Sequence, residues 1–389
     1  MLPPEKSSVR RICLFISTEM HLGGGEKSML TVLEGKETAG FEPVLLCRPK
    51  AEVGTAARES GVRVVEVEMV QRDLARQPFA YLRSLLRAFR IVLKIRPAIL
   101  CGDGWRGVPY AVPMAKLLRR PAFIFLREMD LPPSSVTRFL TKQADHVTTI
   151  SKAQRRFLME AGIINDDNSR LIYNGLPMSY LREGNPPEAL RVSVGLQSEQ
   201  LGVVLPGYLS RYKGNLIFVE AVKQITDQIP KARFYFLGGP FPNVSNPEDV
   251  GFDKVLAEKV SEEGLSDVIK FLGHRDNVAD VLWAMDLVVV PSIHEEAFGR
   301  VAVEAMLAGK AVIVSQSGGL PEVIQDGKTG IVVPKNDPTA LAEAMLKLLE
   351  DDTLRNAFGK AGQERAQRLF PDTLKRDKMW AAIAEVCHQ

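Results

Sequence analysis

The chain has 389 residues, beyond the roughly 250–300 at which single cores stop growing, so two domains are expected. An apolar share of 46% with 25% charged residues is ordinary for a soluble globular protein, and no apolar run approaches the roughly 18 residues of a membrane-spanning helix. The net charge of +3 hides an asymmetry: residues 1–180 carry 27 Lys+Arg against 18 Asp+Glu, and the remainder is acidic, so the first half is expected to meet something anionic.

The opening "MLPPEKSSVRR" is polar and lacks the apolar segment of a secretory signal. Cys13, Cys47, Cys101 and Cys387 are far apart and form no metal-type pair. A reduced cytoplasmic protein with packed thiols is the reading that follows.

In chain order, "ICLFIS" (12–17), "FEPVLLC" (41–47), "VRVVEVE" (62–68), "AILCGD" (98–103), "AFIFLRE" (122–128) and "HVTTIS" (146–151) are predicted strands. They are near-continuously apolar, as strands covered on both faces are, and the helical patterns between them predict a parallel sheet. After the first strand comes "HLGGGEKS" (21–28). A hydrolase phosphate loop needs glycine directly before the lysine, and Glu26 stands there instead. Gly23, Gly24 and Gly25 permit a tight turn, and a helix from about Glu26 offers backbone N–H groups to a diphosphate or a sugar. A purely structural strand-to-helix turn fits the loop equally well.

The helix predicted over 79–95 carries Arg83, Arg87, Arg90 and Lys94 at helical spacing. One reading lays this basic face on an anionic membrane; the other leaves it as a solvated face. No interleaving of aromatic and basic residues points to nucleic acid.

Residues 179–198 contain Pro-Pro and read as a linker between domains at 1–178 and 199–373. The strand grammar then restarts with "LGVVLPGYL" (201–209), "ARFYFLGG" (232–239), "VIKFLGH" (268–274), "LVVVPSI" (287–293), "AVIVSQSGG" (311–319) and "GIVVP" (330–334). The fold class is therefore α/β, with two doubly wound, Rossmann-like domains whose ligands are expected beyond the strands' carboxyl ends, in a cleft between the two. In "PSIHEEAFGRVAVEAMLAG" (291–309), Glu296 falls in the loop after a buried strand and Glu304 near the second turn of the following helix. The amino end of that helix, near Phe298 to Val301, is a natural diphosphate seat.

These motifs resemble those of retaining glycosyltransferases of family 4, which have the two-domain GT-B fold. The two-glutamate motif is similar at Glu296 and Glu304, "GRLxxxKG" in part at "GYLSRYKG" (207–214), and "GGLPE…DG.TG.LV" at 318–334. The amino-terminal "GGxE" turn resembles Gly23 to Glu26, and the "NG" turn Asn174-Gly175. The resemblance implies a donor that is a nucleotide diphosphate sugar, with uridine as its base, and an acceptor that is a glycan or a lipid-linked glycan. It implies catalytic roles for Glu296, at the donor sugar, and Lys213, at the diphosphate. Glu304 would hold the ribose, and backbone amides at Phe298 and Gly299 the sugar hydroxyls, with Arg300 and Val301 completing the seat. Gly24, Gly25, Arg211 and His274 are further donor candidates, and His21, Arg127 and Glu128 acceptor candidates. A front-face mechanism is implied, and the chain contains no Asp-x-Asp triplet, so neither a cofactor nor a metal is expected. The carboxyl-terminal residues 374–389 are expected to cross back onto the first domain. The missing signal and span together with the basic helix predict a cytoplasmic protein, peripheral on the inner face of the membrane if that helix docks there.

Three departures matter. Tyr208 follows Gly207 where the family has arginine, which leaves Arg211 or Arg300 as substitutes. "FLREMD" (125–130) lacks the family's histidine, and Leu176-Pro177 stands where aspartate is usual. A donor-binding relative without turnover is therefore an alternative. A nucleotide-sugar epimerase is another, although it needs an acid and a base where Glu296 stands alone. His294 frames a pocket or acts in it, and Glu322 caps its helix or touches donor.

Overall fold

The computed structural model describes residues 11–34, 39–70, 77–240 and 249–388. The chain divides into two compact units, Met1–Gly175 with Asp372–Gln389, and Leu176–Pro371.

The first unit runs β1 (Arg11–Ile16), α1 (Gly24–Leu33), β2 (Phe41–Cys47), α2 (Glu52–Glu59), β3 (Arg63–Glu66), α3 (Pro78–Ile95), β4 (Ile99–Asp103), α4 (Gly104–Leu118), β5 (Ala122–Phe125), α5 (Ser135–Lys142), β6 (His146–Thr149), α6 (Lys152–Glu160) and β7 (Ser169–Leu171). The described strands form one parallel sheet in the order β3-β2-β1-β4-β5-β6-β7. Leu14, Ile16, Val44, Leu46 and Leu100 are wholly buried in its core, as an all-parallel sheet covered on both faces requires.

The second unit holds α7 (Glu188–Ser193), β8 (Leu201–Pro206), α8 (Asn215–Ile225), β9 (Ala232–Leu237), α9 (Phe252–Glu262), β10 (Ile269–Gly273), α10 (Val278–Ala284), β11 (Leu287–Val290), α11 (Arg300–Leu307), β12 (Ala311–Ser315), α12 (Leu320–Val323), β13 (Ile331–Val333), α13 (Pro338–Glu350) and α14 (Asp352–Leu369). Its parallel sheet has the order β10-β9-β8-β11-β12-β13. Phe218 of α8 meets Phe234 and Phe236 of β9 edge-on, at 6.0 and 5.5 Å between ring centres. The chain then returns to the first unit as α15 (Asp372–Val386).

Four sequence expectations need correction. Residues 179–198 are no free linker: they belong to the second unit and include α7. Arg191 anchors them, its guanidinium lying 3.2 Å from Asp286 and donating to the Gln200 carbonyl at 2.6 Å. The helix after the glycine loop starts at Gly24, two residues early, so Gly24 and Gly25 are helical. Strand β5 stops at Phe125, leaving Arg127 and Glu128 in the loop beyond it. Finally, β7 went unread, because three residues are too few for a period to register.

Candidate functional site

In each sheet the order in which the chain adds strands reverses at one point, between β8 and β11 in the second unit and between β1 and β4 in the first. Ligands of open α/β sheets bind beyond the strand ends at that point. The second unit places Lys213 and Glu296 there, one on each flanking loop.

Lys213 ends a single 3-10 turn, Arg211–Lys213, after β8. The next residue, Gly214, has φ +73°, and a Cβ on it would collide with the Pro291 carbonyl. Glycine thus lets the β8–α8 loop press against the end of β11. Ile293 N–H also donates to the Tyr212 carbonyl at 3.0 Å, tying the two loops together. The Lys213 stem passes about 4.0 Å from where a Cβ on Gly207 would stand, and its ammonium bonds Glu296 Oε1.

Glu296 is held from three sides. Ser292 Oγ donates to Oε1 at 2.7 Å. The Glu296 N–H donates to Ser317 Oγ at 3.1 Å, and its carbonyl accepts from Gly319 N–H at 2.7 Å. Burial would raise its pKa, but the Lys213 charge and the bonds from Lys213 and Ser292 hold the carboxyl below the usual glutamate range. Its neighbour Glu295 turns away to Lys335 and the Gly318 N–H. His294 packs edge-on against Tyr212, 4.6 Å between ring centres, so it frames the loop.

Gly299, at φ +99°, immediately precedes α11 as its amino-terminal cap, and a Cβ there would run into Leu320. Phe298 is buried against Phe370. Glu304 is nearly buried, with Arg300 Nη2 3.6 Å from its Oε1 across one helical turn. Glu304 and Val301 line a cavity of about 160 Å³ with Gly207, Tyr208, Gly238 and His274. His274 is itself largely exposed, 3.6 Å from Asp276.

Both substitutes for the family arginine have other partners. The Arg211 guanidinium lies over the Phe252 ring at 5.2 Å, and the Arg211 backbone N–H donates to Asp249 Oδ1 at 3.0 Å; Arg300 is engaged with Glu304. Arg275, which sequence reasoning passed over, lines the same cavity. Ser292 and Ser317 were also missed. A serine at the end of a buried strand is too common a signal, and only the fold shows both reaching Glu296.

In the first unit, the glycine loop has a different occupant. Arg127 donates to the Gly25 carbonyl, pairs with Asp103, and lies 3.6 Å from Glu26. A Cβ on Gly25 would stand 3.3 Å from Arg127 Cζ, so this glycine makes room for a guanidinium. Glu26 Oε2 in turn accepts from the Gly23 N–H at 3.0 Å. Glu128 accepts from the Arg127 N–H at 3.0 Å, and a side chain on Gly104 would strike it. Arg127 and Glu128, expected at the acceptor, are thus turned inward. Burial raises the Asp103 carboxyl to about 7; Arg127 opposes the shift, and the charges of Glu26 and Glu128 add to it.

Lys27 is exposed, and Ser28 is wholly buried. Ser28 Oγ donates to Asn174 Oδ1 at 2.6 Å, and Lys375 of α15 donates to the Ser28 carbonyl and to Ser28 Oγ. The lysine and serine that imitate a phosphate loop therefore have unrelated places. His21 is exposed, with Nδ1 3.4 Å from Glu52, and Gly24 is exposed at the start of α1.

Comparison with known proteins bears on both units. Residues 23–175 match the family described as "Glycosyl transferase 4-like domain", and residues 188–365 match "Glycosyl transferases group 1". The D-inositol 3-phosphate glycosyltransferase of Corynebacterium glutamicum is 30% identical over 267 residues, covering 66% of this chain and 60% of that protein. The chain thus spans about 60% of the length of that relative. Among solved structures, Anabaena Alr3699/HepE in complex with UDP is similar at TM-score 0.84 and 20% identity, covering 96% of this chain and 100% of that one. The same protein with UDP-glucose is similar at TM-score 0.82 and 21% identity, covering 96% and 99%. The likeness in structure shows a shared fold. With two family matches covering most of both units, the chain belongs to the family-4-type glycosyltransferases of GT-B fold.

Proposed function

We propose that this chain transfers a sugar from a UDP-sugar to a glycan or lipid-linked glycan acceptor, with retention of configuration and without a metal. The observation that carries the reading is the Lys213–Glu296 pair at the switch point of the second unit, beside the amino end of α11. A leaving nucleoside diphosphate gains negative charge in the transition state, and preorganised cations and helix amino ends are what lower its energy. Lys213 is about one-third exposed, so its ammonium can meet a phosphate without leaving Glu296. The carboxylate of Glu296, kept ionised by Lys213 and Ser292, accepts hydrogen bonds from donor-sugar hydroxyls. Glu304, at the edge of the cavity, receives the ribose hydroxyls, and His274 and Arg275 border the base.

Retention follows from a front-face course in which the acceptor hydroxyl passes its proton to the leaving phosphate as the new glycosidic bond forms. Double displacement needs a second carboxylate across the bond, and Glu296 is committed to Lys213 and Ser292. Uridine is supported by the HepE complexes, which are described with UDP and UDP-glucose. The excess of Lys+Arg over Asp+Glu in the first half supports an anionic, lipid-linked acceptor. The curated relative is named for D-inositol 3-phosphate, and this small anionic acceptor belongs in any panel.

Tyr208, standing where the family has a cation, favours one second reading: a relative that binds donor without turning it over. One experiment separates the two. UDP-, GDP- and dTDP-sugars are titrated calorimetrically and assayed for transfer and hydrolysis, with and without chelator, on the parent and on Lys213→Ala and Glu296→Ala. Turnover of a UDP-sugar in chelator, lost in both variants, is expected. Tight binding with no turnover selects the second reading. Strict dependence on added metal, or full activity in both variants, sinks the mechanism.

A further inference from the structure

The strongest unassigned feature is the outer layer of the first unit. From β3 to β4, β5 and β6 the chain steps in one direction across the sheet. Right-handed crossovers therefore put α3, α4 and α5 on one face. Helix α4 packs against both of the others and is buried except near its ends, so α3 and α5 form the outside.

That outside is amphiphilic. On α3, Phe79 (87% exposed), Leu82, Leu86 and Leu93 make one exposed row. Arg83, Arg87, Arg90 and Lys94 make an adjacent exposed row. The core is met by a third set, Ser84, Ala88, Val92 and Ile95. Helix α5 repeats the plan in eight residues: Val136 and Phe139 (62% exposed) stand beside Lys142, while Thr137 and Thr141 face inward. Leu117 at the end of α4 is 70% exposed, next to Arg119 and Arg120. Neither α3 nor α5 contains an acidic residue. Among the described residues, the four cations of α3 meet no carboxylate.

Isolated exposed apolar residues are normal, but aligned apolar rows rimmed by cations mark an interaction surface. We infer that the face built by α3, the end of α4 and α5 is a docking surface for an anionic lipid bilayer, with Phe79, Leu117 and Phe139 entering the headgroup layer. Charge complementarity selects the lipid, and the long apolar side chains between the cations favour a bilayer over a nucleic acid. The surface is separate in residues from the Lys213–Glu296 pair, so docking does not depend on turnover.

The test sediments the full chain with vesicles of phosphatidylcholine alone, and of phosphatidylcholine with an equal share of phosphatidylglycerol. Binding to the second and not the first, weakening as salt is raised, is expected. Arg87→Gln with Arg90→Gln should weaken it about thirty-fold, some five-fold per cation. Phe139→Ser with Lys142→Gln should weaken it several-fold, with melting temperature and donor binding as in the parent. No binding to the anionic vesicles at low salt overturns the inference. So does equal binding to both vesicles, salt-sensitive capture by polyuridylate without vesicle binding, or concentration-dependent dimerisation abolished by Phe79→Ser. Loss in the α3 variant with none in the α5 variant overturns the shared face.

Discussion

Two ion pairs, one in each unit, sit at equivalent places: the switch point of a parallel sheet. Lys213–Glu296 joins the loops after β8 and β11, and Arg127–Asp103 joins the end of β4 to the loop after β5. The side chains of the first pair are 34% and 20% exposed, and those of the second 8% and 1%. Their carboxyls respond in opposite directions. Glu296 is lowered because a cation and a serine hydroxyl outweigh its burial. Asp103 is raised to about 7 because its burial is deeper and Glu26 and Glu128 add like charge. An ion pair open to solvent presents charge to a ligand, whereas a sealed one holds the fold together. The same chemistry thus leaves a solvent-open pair at the candidate site of one unit and a sealed pair in the other.

Lys213→Ala should break the open pair with the largest effect: donor turnover falls by about a hundredfold or more, as when a preorganised transition-state donor is lost, with little change in the unfolding midpoint. Retained activity would make the open pair structural too.

Arg127→Met should do the reverse in the sealed pair. Above about pH 8, where the parent's Asp103 is ionised, it leaves that carboxylate buried without its cation, and denaturant titrations there should show a loss of about 3 kcal/mol of stability. A variant as stable as the parent would show that the sealed pair carries no load.

Asp103→Asn tests the sign of the shift. In the parent, the folded state holds this proton up to about 7, above the unfolded value of 3.8. The stability linked to it is therefore present at low pH and lost as pH rises through that window. The urea midpoint of the variant should fall less than the parent's between those values, and an unchanged slope would assign the titration elsewhere.

Gly25→Ala should have the smallest effect. Its Cβ would crowd the guanidinium at 3.3 Å, costing about 1 kcal/mol after the helix-propensity gain. A net gain in melting temperature would show that Arg127 can yield.

The sequence disclosed the two-sheet architecture because parallel strands advertise themselves as unbroken apolar runs, "LVVVP" before Glu296 being the plainest. It also placed Glu296 in a loop and Glu304 on a helix, because strand end, glycine and helix stop follow one another within 19 residues. What stayed hidden depended on partners far along the chain. Arg127 looks like a substitute for a histidine until Asp103 and Gly25 appear beside it. Ser317 becomes part of the site only once β12 lies next to β11. Residues 179–198 look like a linker because Pro-Pro interrupts them, yet Arg191 finds Asp286 across 95 positions.

The return of α15 has a consequence for biosynthesis. Its Lys375 is buried against Ser28 of α1, and its Trp380 stacks on Phe41, meets Phe15 edge-on and donates to the Val32 carbonyl at 3.0 Å. The first unit to leave the ribosome is thus completed by helical residues made after the whole second unit. At roughly 5–20 residues per second, α1 waits roughly 17–70 seconds for the helix that covers it. The apolar surface that Trp380 later covers, Phe15 and Phe41 included, is the point at which a chaperone, or a stop codon before Asp372, would decide the fate of the chain.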